Sequence, residues 1–300
     1  MPEPALLEYL SSFRDEVVHH CPNFGNAGDA LIAHATYQLF QKCGVRYKHI
    51  SRRGSAKGKV IMFGGGGNLV DYYVSGALRI AKFHREAKKL VILPQSINAH
   101  EDVLRKLGSN VDIICRERAS FEFAKREAPS ANVMLMDDLA FSVDTADTMK
   151  PLGVGNWIDP VFWAYRLKCA IAKPLLSTGG KPTKVDGVRK VIHCFRTDAE
   201  KTNRPLPPGN VDAARIFEIG YLHGETYARL VSHSFLHFLN QFDEIHTNRL
   251  HGCIGGILLG KTVYLHPNRY YKNQRVYEYS IRDRFPNVHW VDKPQLVASQ

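Results

Sequence analysis

Short runs of valine, isoleucine and leucine alternate with helix-patterned stretches along the first half of this 300-residue chain, and that alternation restricts the folds open to it. Residues 16–20, 59–63, 90–93, 111–115 and 133–136 read as strands, with helical patterning over 30–41, 72–89 and 119–127 between them. Short strands rich in valine, isoleucine and leucine and separated by helices are the pattern of a parallel sheet covered on both faces. The first half is therefore expected to be a doubly wound α/β domain. The alternation breaks at a Gly/Pro loop (151–156), a helical, aromatic and basic stretch (157–176) and a turn-rich linker, STGGKPTKVDG (177–187). It then resumes, with strands at 190–195, 244–246 and 262–266 and helices at 224–240 and 249–259. The fold class read from this is α/β, two Rossmann-like domains facing a cleft. The N-terminal domain is assigned 1–150, a connecting helix and linker 151–188, and the C-terminal domain 189–300.

Composition removes the other classes. With 44% hydrophobic and 23% charged residues, a chain of this length buries a core without a disulfide or metal staple. No apolar run reaches the ~18 residues of a membrane span, and the best candidate, 160–176, is interrupted by Arg166, Lys168 and Lys173. Disorder, collagen and coiled coil are excluded as well. The opening MPEPALLEYL lacks a basic n-region, so a secretory signal is not expected and the protein is assigned to the cytoplasm. Lys plus Arg exceed Asp plus Glu by 40 − 29 = 11, which favours an anionic partner. The basic residues are dispersed rather than gathered in an arm, so nucleic acid is not the expected one. Six scattered cysteines contain no CxxC pair and read as inert core thiols of a reducing compartment.

Four motifs carry chemistry or imitate it. Asn23-Phe-Gly-Asn-Ala-Gly-Asp-Ala-Leu-Ile32 follows the first strand. Its free backbone N–H groups could hold an anion or a sugar hydroxyl, or Asp29 could simply cap the helix. Phe63-Gly-Gly-Gly-Gly-Asn-Leu69 offers bare backbone to a ligand, but no acidic residue ends the next strand, so it is no dinucleotide fingerprint. Gly255-Gly-Ile-Leu-Leu-Gly-Lys-Thr262 matches the P-loop pattern by letters alone. Its interior is apolar and helical, its Lys-Thr leads into a strand, and Gly260 reads as a helix C-cap. His246-Thr-Asn-Arg249-Leu-His251-Gly252 lies between a strand and a helix, where open α/β sheets place ligands. Arg offers a fork for carboxylate or phosphate, and His moves a proton near neutral pH. A basic, aromatic cluster, Asn268-Arg-Tyr-Tyr-Lys272-Asn-Gln-Arg275, follows the next strand.

Taken in order, these motifs together with Arg116-Glu-Arg-Ala-Ser120 and Asp137-Asp-Leu-Ala-Phe141 resemble the polysaccharide pyruvyl transferases over about residues 20 to 280. The resemblance implies a GT-B-like fold. It also implies transfer of the pyruvyl group of phosphoenolpyruvate to two hydroxyls of one sugar, giving a cyclic ketal and phosphate. Carried over by motif, Arg116, Arg249, His251 and Lys272 are the expected donor-site residues. The chemistry needs a proton at the methylene carbon, for which His251 is the candidate acid, and one removed from a hydroxyl, for which Asp29 is the candidate base. Asn26, Gly28, Gly65, Gly66, Asn68, Arg196, Asn248, Leu250, Tyr271 and Asn273 are expected to contact substrate. No metal site and no cofactor are expected, phosphoenolpyruvate being a donor substrate. The acceptor is a glycan or a lipid-linked sugar.

Two rivals stand beside this reading. A nucleotide-sugar glycosyltransferase of the same fold would need a carboxylate for ribose in the second domain. A non-catalytic nucleic-acid-binding protein would account for the charge. Within 157–173, Trp163, Leu167, Ala170 and Ile171 share a helical face flanked by Arg166 and Lys173. That stripe suits an interfacial helix on an anionic membrane, or packing against the domain body or a second subunit.

Overall fold

The computed structural model describes residues 2–23, 25–51, 53–151, 163, 165, 183–185, 189–218 and 224–292. The helix expected over 157–176 lies outside the described residues except for positions 163 and 165, and so does most of the linker. The chain divides into two compact units, Met1–Leu152 with Phe217–Ser234, and Gly153–Ile216 with Phe235–Gln300.

The first unit carries β1 (Val17–Cys21), β2 (Arg46–His49), β3 (Val60–Phe63), β4 (Gly66–Leu69), β5 (Lys89–Ile97), β6 (Val111–Cys115) and β7 (Asn132–Leu135). Its helices are α1 (Pro4–Ser11), α2 (Ala27–Cys43), α3 (Ser75–Glu86), α4 (Glu101–Leu104), α5 (Arg118–Glu127) and α6 (Thr145–Thr148). The strands run in the order β2-β1-β3-β5-β6-β7, all parallel, with β4 paired to β5 off this path. Every residue of β3 and β6 is buried, as strands covered on both faces require. Phe63, Ile80, Phe83, Ile92 and Ile113 meet in the core on one face, each worth roughly 1.5–3 kcal/mol of burial. The glycine stretch read from sequence as a loop is in part strand β4, which pairs with β5.

Chain order reverses between β1 and β3, because β2 pairs on one side of β1 and β3 on the other. At such a switch point the crossovers leave in opposite directions and open a crevice at the carboxyl ends of the strands. Helix α2 starts there. Asn26 caps it by accepting from the Gly28 N–H (2.8 Å), while Asp29 accepts from the Asn26 N–H (3.0 Å).

The second unit contains β8 (Thr183–Val185), β9 (Arg189–Cys194), β10 (Glu244–Thr247), β11 (Thr262–Leu265) and β12 (Val288–Trp290), in the order β12-β11-β10-β9-β8. Strands β9 to β12 are parallel and β8 is antiparallel to β9. Strand β8 corrects, at 183–185, the expectation of a turn-rich linker or exposed loop over 177–187: β9 offers an edge for this short segment to pair with. The further helices are α7 (Ala213–Ile216), α8 (Glu225–Leu239), α9 (Leu250–Leu258) and α10 (Lys272–Val276).

The P-loop imitation is explained by packing. A Cβ on Gly256 would meet Val263 Cγ2 at 2.5 Å, and one on Gly255 would meet Leu239 Cδ1 at 2.7 Å, so the glycines let α9 seat closely. Gly260 has φ +67° just after the helix, Lys261 donates to the Asn240 carbonyl, and Thr262 opens β11. Among the described residues no helix is long and apolar enough to cross a membrane. Cys21, Cys43, Cys115, Cys194 and Cys253 are buried and not disulfide-bonded. Burial pushes the Cys115, Cys194 and Cys253 thiols up, which keeps them protonated and unreactive.

Candidate functional site

In the second unit the chain leaves β9, β10 and β11 at the same edge of the sheet, and each exit carries charged side chains. The Thr247-Asn-Arg-Leu-His-Gly252 segment is built from β10 outward. The Thr247 hydroxyl donates to the Cys194 carbonyl of β9 (2.7 Å) and accepts from the Arg249 N–H (3.0 Å), which fixes the turn into α9. Gly252 is needed on the first turn because a Cβ there would sit 2.8 Å from the Thr247 oxygen. Asn248 accepts from the Arg196 N–H (2.8 Å), tying the β10 exit to that of β9. Asn273 donates to the carbonyls of Asn248 (2.7 Å) and His266 (3.1 Å), tying in the β11 exit. Asn273 is fully buried, so its amide serves these loops from inside.

Six charged side chains converge on this edge. Arg249 donates through Nε and Nη2 to Asp212 and through Nη2 to Asp198 Oδ2 (2.8 Å). Arg196 pairs both oxygens of Asp198 (2.7 and 3.0 Å) and Glu200 Oε2 (2.6 Å). Lys272 Nζ donates to the same Glu200 oxygen (2.7 Å) and lies 5.1 Å from the Tyr270 ring centroid. Thr197 donates its N–H and its hydroxyl to Asp212 Oδ2, at 2.8 and 2.9 Å. Three cations thus face three carboxylates. Burial alone would raise Glu200, but Lys272 and Arg196 outweigh it and hold the carboxyl at about 2. Burial likewise works against the Asp198 charge, and Arg196 and Arg249 overcome it, holding that carboxyl well below the usual range. The two carboxylates keep the Arg196 guanidinium charged despite burial. Each close pair is worth about 4 kcal/mol at an effective dielectric near 20, against a desolvation cost of several kcal/mol per ion. What the network secures is position. His251, half-buried, stands on the first turn of α9 beside buried Leu250, and Tyr271 directly precedes Lys272.

The first unit has its own polar group at the β1/β3 switch point. Asn23 Nδ2 donates to the carbonyls of Gly64 (2.7 Å) and Gly65 (2.8 Å), and Gln95 donates to Gly64 (2.6 Å) and accepts from the Asn68 N–H (3.3 Å). The glycines have an internal reason. A Cβ on Gly64 would lie 2.6 Å from the Asn23 nitrogen, one on Gly65 2.8 Å from the Pro94 carbonyl, and Gly66 has φ +127°. Asn26, Gly28 and Asp29 share the capping box described above, so the Asp29 carboxylate is already engaged. Arg116 is 1% exposed, with Nη1 on Asp138 (2.6 Å) and Nε on Ser96 (2.9 Å).

Sequence reasoning placed Arg196, Asn248, Arg249, Leu250, His251, Tyr271, Lys272 and Asn273 within one unit, and the fold gathers them at one sheet edge. Asn26, Gly28, Asp29, Gly65, Gly66, Asn68 and Arg116 all fall in the other unit. It missed Asp198, Glu200 and Asp212, because isolated acids in polar loops look like any solvated acid. Asn23 and Gln95 were also missed as partners, although Asn23 opens a motif that was noticed. Among the described residues no cluster of His, Cys, Asp and Glu is arranged to hold a metal ion.

Known proteins share this architecture. A crystal structure of KP1_0663, a functionally uncharacterised protein from Klebsiella pneumoniae subsp. pneumoniae NTUH-K2044, is 28% identical, with a TM-score of 0.74 over 96% of each chain. "Putative pyruvyl transferase EpsO" of Bacillus subtilis (strain 168) is 24% identical over 294 residues, 89% of this chain and 86% of that protein. The family model described as polysaccharide pyruvyl transferase matches residues 26–265, a span that runs from the cap of α2 to the end of β11. The chain belongs to the polysaccharide pyruvyl transferase family.

Proposed function

We propose that this protein transfers the pyruvyl group of phosphoenolpyruvate to two hydroxyls of one sugar in an exopolysaccharide, capsule or cell-wall glycan, or in a lipid-linked precursor of one. One observation carries the donor assignment: Arg249, Arg196 and Lys272 converge at the carboxyl ends of β9, β10 and β11, with His251 two residues beyond Arg249. An enol phosphate bearing a carboxylate needs several cations held in fixed positions. One sugar hydroxyl adds to C2 while a proton arrives at the methylene carbon, which becomes a methyl group. The second hydroxyl then adds at C2 as the C–O bond to phosphate breaks, and its proton leaves with solvent or phosphate. His251 is the residue we assign to the first proton, and Asp29 is the candidate for removing one. The proposed reaction uses neither a metal nor a cofactor. The GT-B-like arrangement implied by the family resemblance belongs to this proposal, as does a cytoplasmic place of action, peripheral to an anionic membrane where the acceptor is lipid-linked.

A nucleotide-sugar glycosyltransferase would use a carboxylate at this edge for ribose. Asp198, Glu200 and Asp212 are present, yet each is already paired with arginine or lysine. The two readings separate in one assay. Phosphoenolpyruvate with bacterial glycan acceptors should give acceptor-dependent phosphate release and a new ketal methyl signal by proton NMR. Turnover with nucleotide sugars and none with phosphoenolpyruvate would overturn the proposal.

A further inference from the structure

The three carboxylates of the second unit are not equivalent. Asp212 and Glu200 have side chains 7% and 4% exposed, whereas Asp198 is 24% exposed. Asp212 is anchored four ways, by two nitrogens of Arg249 and by the N–H and hydroxyl of Thr197. Glu200 is held between Arg196 and Lys272, with its own N–H on Asp198 Oδ1 (3.2 Å). Asp198 is the carboxylate shared by both arginines, with Oδ1 on Arg196 and Oδ2 between Arg196 Nη2 and Arg249 Nη2. An anion seeking two guanidiniums at this edge finds that position filled by the most accessible of the three acids. The formal charge of the six side chains is zero, so the cluster as it stands offers an incoming anion little net attraction.

We propose that Asp198 is a placeholder: its carboxylate occupies, between Arg196 and Arg249, the place that an anionic group of the donor takes, and it yields that place when the donor binds. The inference rests on the donor reading above and deepens it. Asp212 and Glu200 stay as anchors that keep Arg249 and Lys272 oriented throughout, so the exchange swaps one anion for another and the buried cations are never left unpaired. The exchange also explains how a fully paired cluster can serve as an anion site. Asp198 is thereby a positioning residue with a measurable sign. Removing its charge weakens its hold on the two guanidiniums and leaves the cluster one unit more positive, so anions displace it more readily and bind more tightly. A residue that merely holds the arginines in line would give weaker binding when neutralised.

The experiment is calorimetric titration of phosphoenolpyruvate, and separately of inorganic phosphate, into the wild-type chain and Asp198→Asn, at two salt concentrations. The expected result is a three- to tenfold lower Kd for phosphoenolpyruvate in Asp198→Asn, with a steeper salt dependence. Asp198→Glu, which keeps the charge, should not show the gain. If Asp198→Asn does not fold, as judged by circular dichroism, Asp198→Ser serves as the uncharged variant. An unchanged or higher Kd in the folded uncharged variant overturns the placeholder while leaving the donor reading intact. Tighter phosphate binding in that variant, with no phosphoenolpyruvate bound by either form, keeps the exchange and removes the donor reading. Binding of neither anion by either form removes both.

Discussion

At the scale of single residues, burial separates side chains that resemble one another in sequence. His251 sits half-buried on the opening turn of α9, beside an arginine fixed by two carboxylates. If it delivers the proton to the methylene carbon, His251→Ala should lower kcat by roughly 10²–10⁴. The same circular dichroism spectrum with wild-type turnover would remove it from the proposed chemistry. Arg116, from an equally suggestive motif, is enclosed with Asp138, each with a side chain 1% exposed, and Asp138 also accepts from the Ala140 N–H (2.9 Å). Truncating Asp138 to alanine strands a buried guanidinium and should cost about 3–5 kcal/mol of stability. A urea titration checks this, and a loss below 1 kcal/mol would mean that the guanidinium has another way to be satisfied. The motif spelling marked both residues, but only the fold shows that one is enclosed and the other half-exposed.

At the scale of elements, legibility followed apolar content. Strands β3 (VIMF) and β6 (VDIIC, its one acid paired with Lys89) are written as predominantly apolar runs because both their faces are covered, and sequence placed them within a residue. Strand β2, Arg-Tyr-Lys-His, is an edge held by pairing with β1, so its side chains need not be apolar and the sequence showed nothing there. Strand β4 begins at glycines, which have poor intrinsic strand preference, and exists because β5 runs long enough to pair with it. The acids that complete the charged cluster were illegible for a related reason: 198, 212 and 249 meet only once β9 and β10 lie side by side. The glycines at the β1/β3 junction give a prediction at this scale. A Cβ on Gly64 would press on the backbone of Asn23 and Pro22, atoms that cannot rotate aside, whereas one on Gly44 would meet nothing within 4 Å. Gly44→Ala therefore suffers only its left-handed backbone (φ +68°), about 1 kcal/mol. Gly64→Ala should lose about 3 kcal/mol through forced movement of the strand ends. Urea midpoints in the reverse order would show that the two strand ends part easily.

At the scale of the whole molecule, acid stability is set by histidines that both units bury in neutral form. His20 is fully buried, edge-on to Tyr37 and Phe40 at 5.2 and 5.5 Å, and burial followed by the neighbouring His49 lowers it from 6.5 to about 3. His34 is lowered to about 4 by burial and then Arg229. In the second unit His193 and His266 are each lowered to about 4, by burial first and then by His246. A folded-state value below the unfolded one means that the unfolded chain takes up protons first as pH falls. Stability from these groups is therefore complete above pH 6.5 and declines from there toward their folded values. Glu200, held near 2, and Asp198, held low by the arginines, add a loss that begins only below about 4.5. Between pH 6.5 and 4.5 the imidazoles are opposed by Glu117, which burial raises, so a His20 substitution compared with wild type is what isolates one imidazole. Neither ring nitrogen of His20 has a hydrogen-bond partner among the described residues, so phenylalanine can replace it without leaving a donor or acceptor stranded. At pH 7.5 His20→Phe should be at least as stable as wild type. At pH 5 its advantage should grow by about 2 kcal/mol, 1.5 units below 6.5 at 1.36 kcal/mol each. Chemical denaturation at the two pH values measures the difference, and an equal gap at both would show that His20 is not held neutral by the fold.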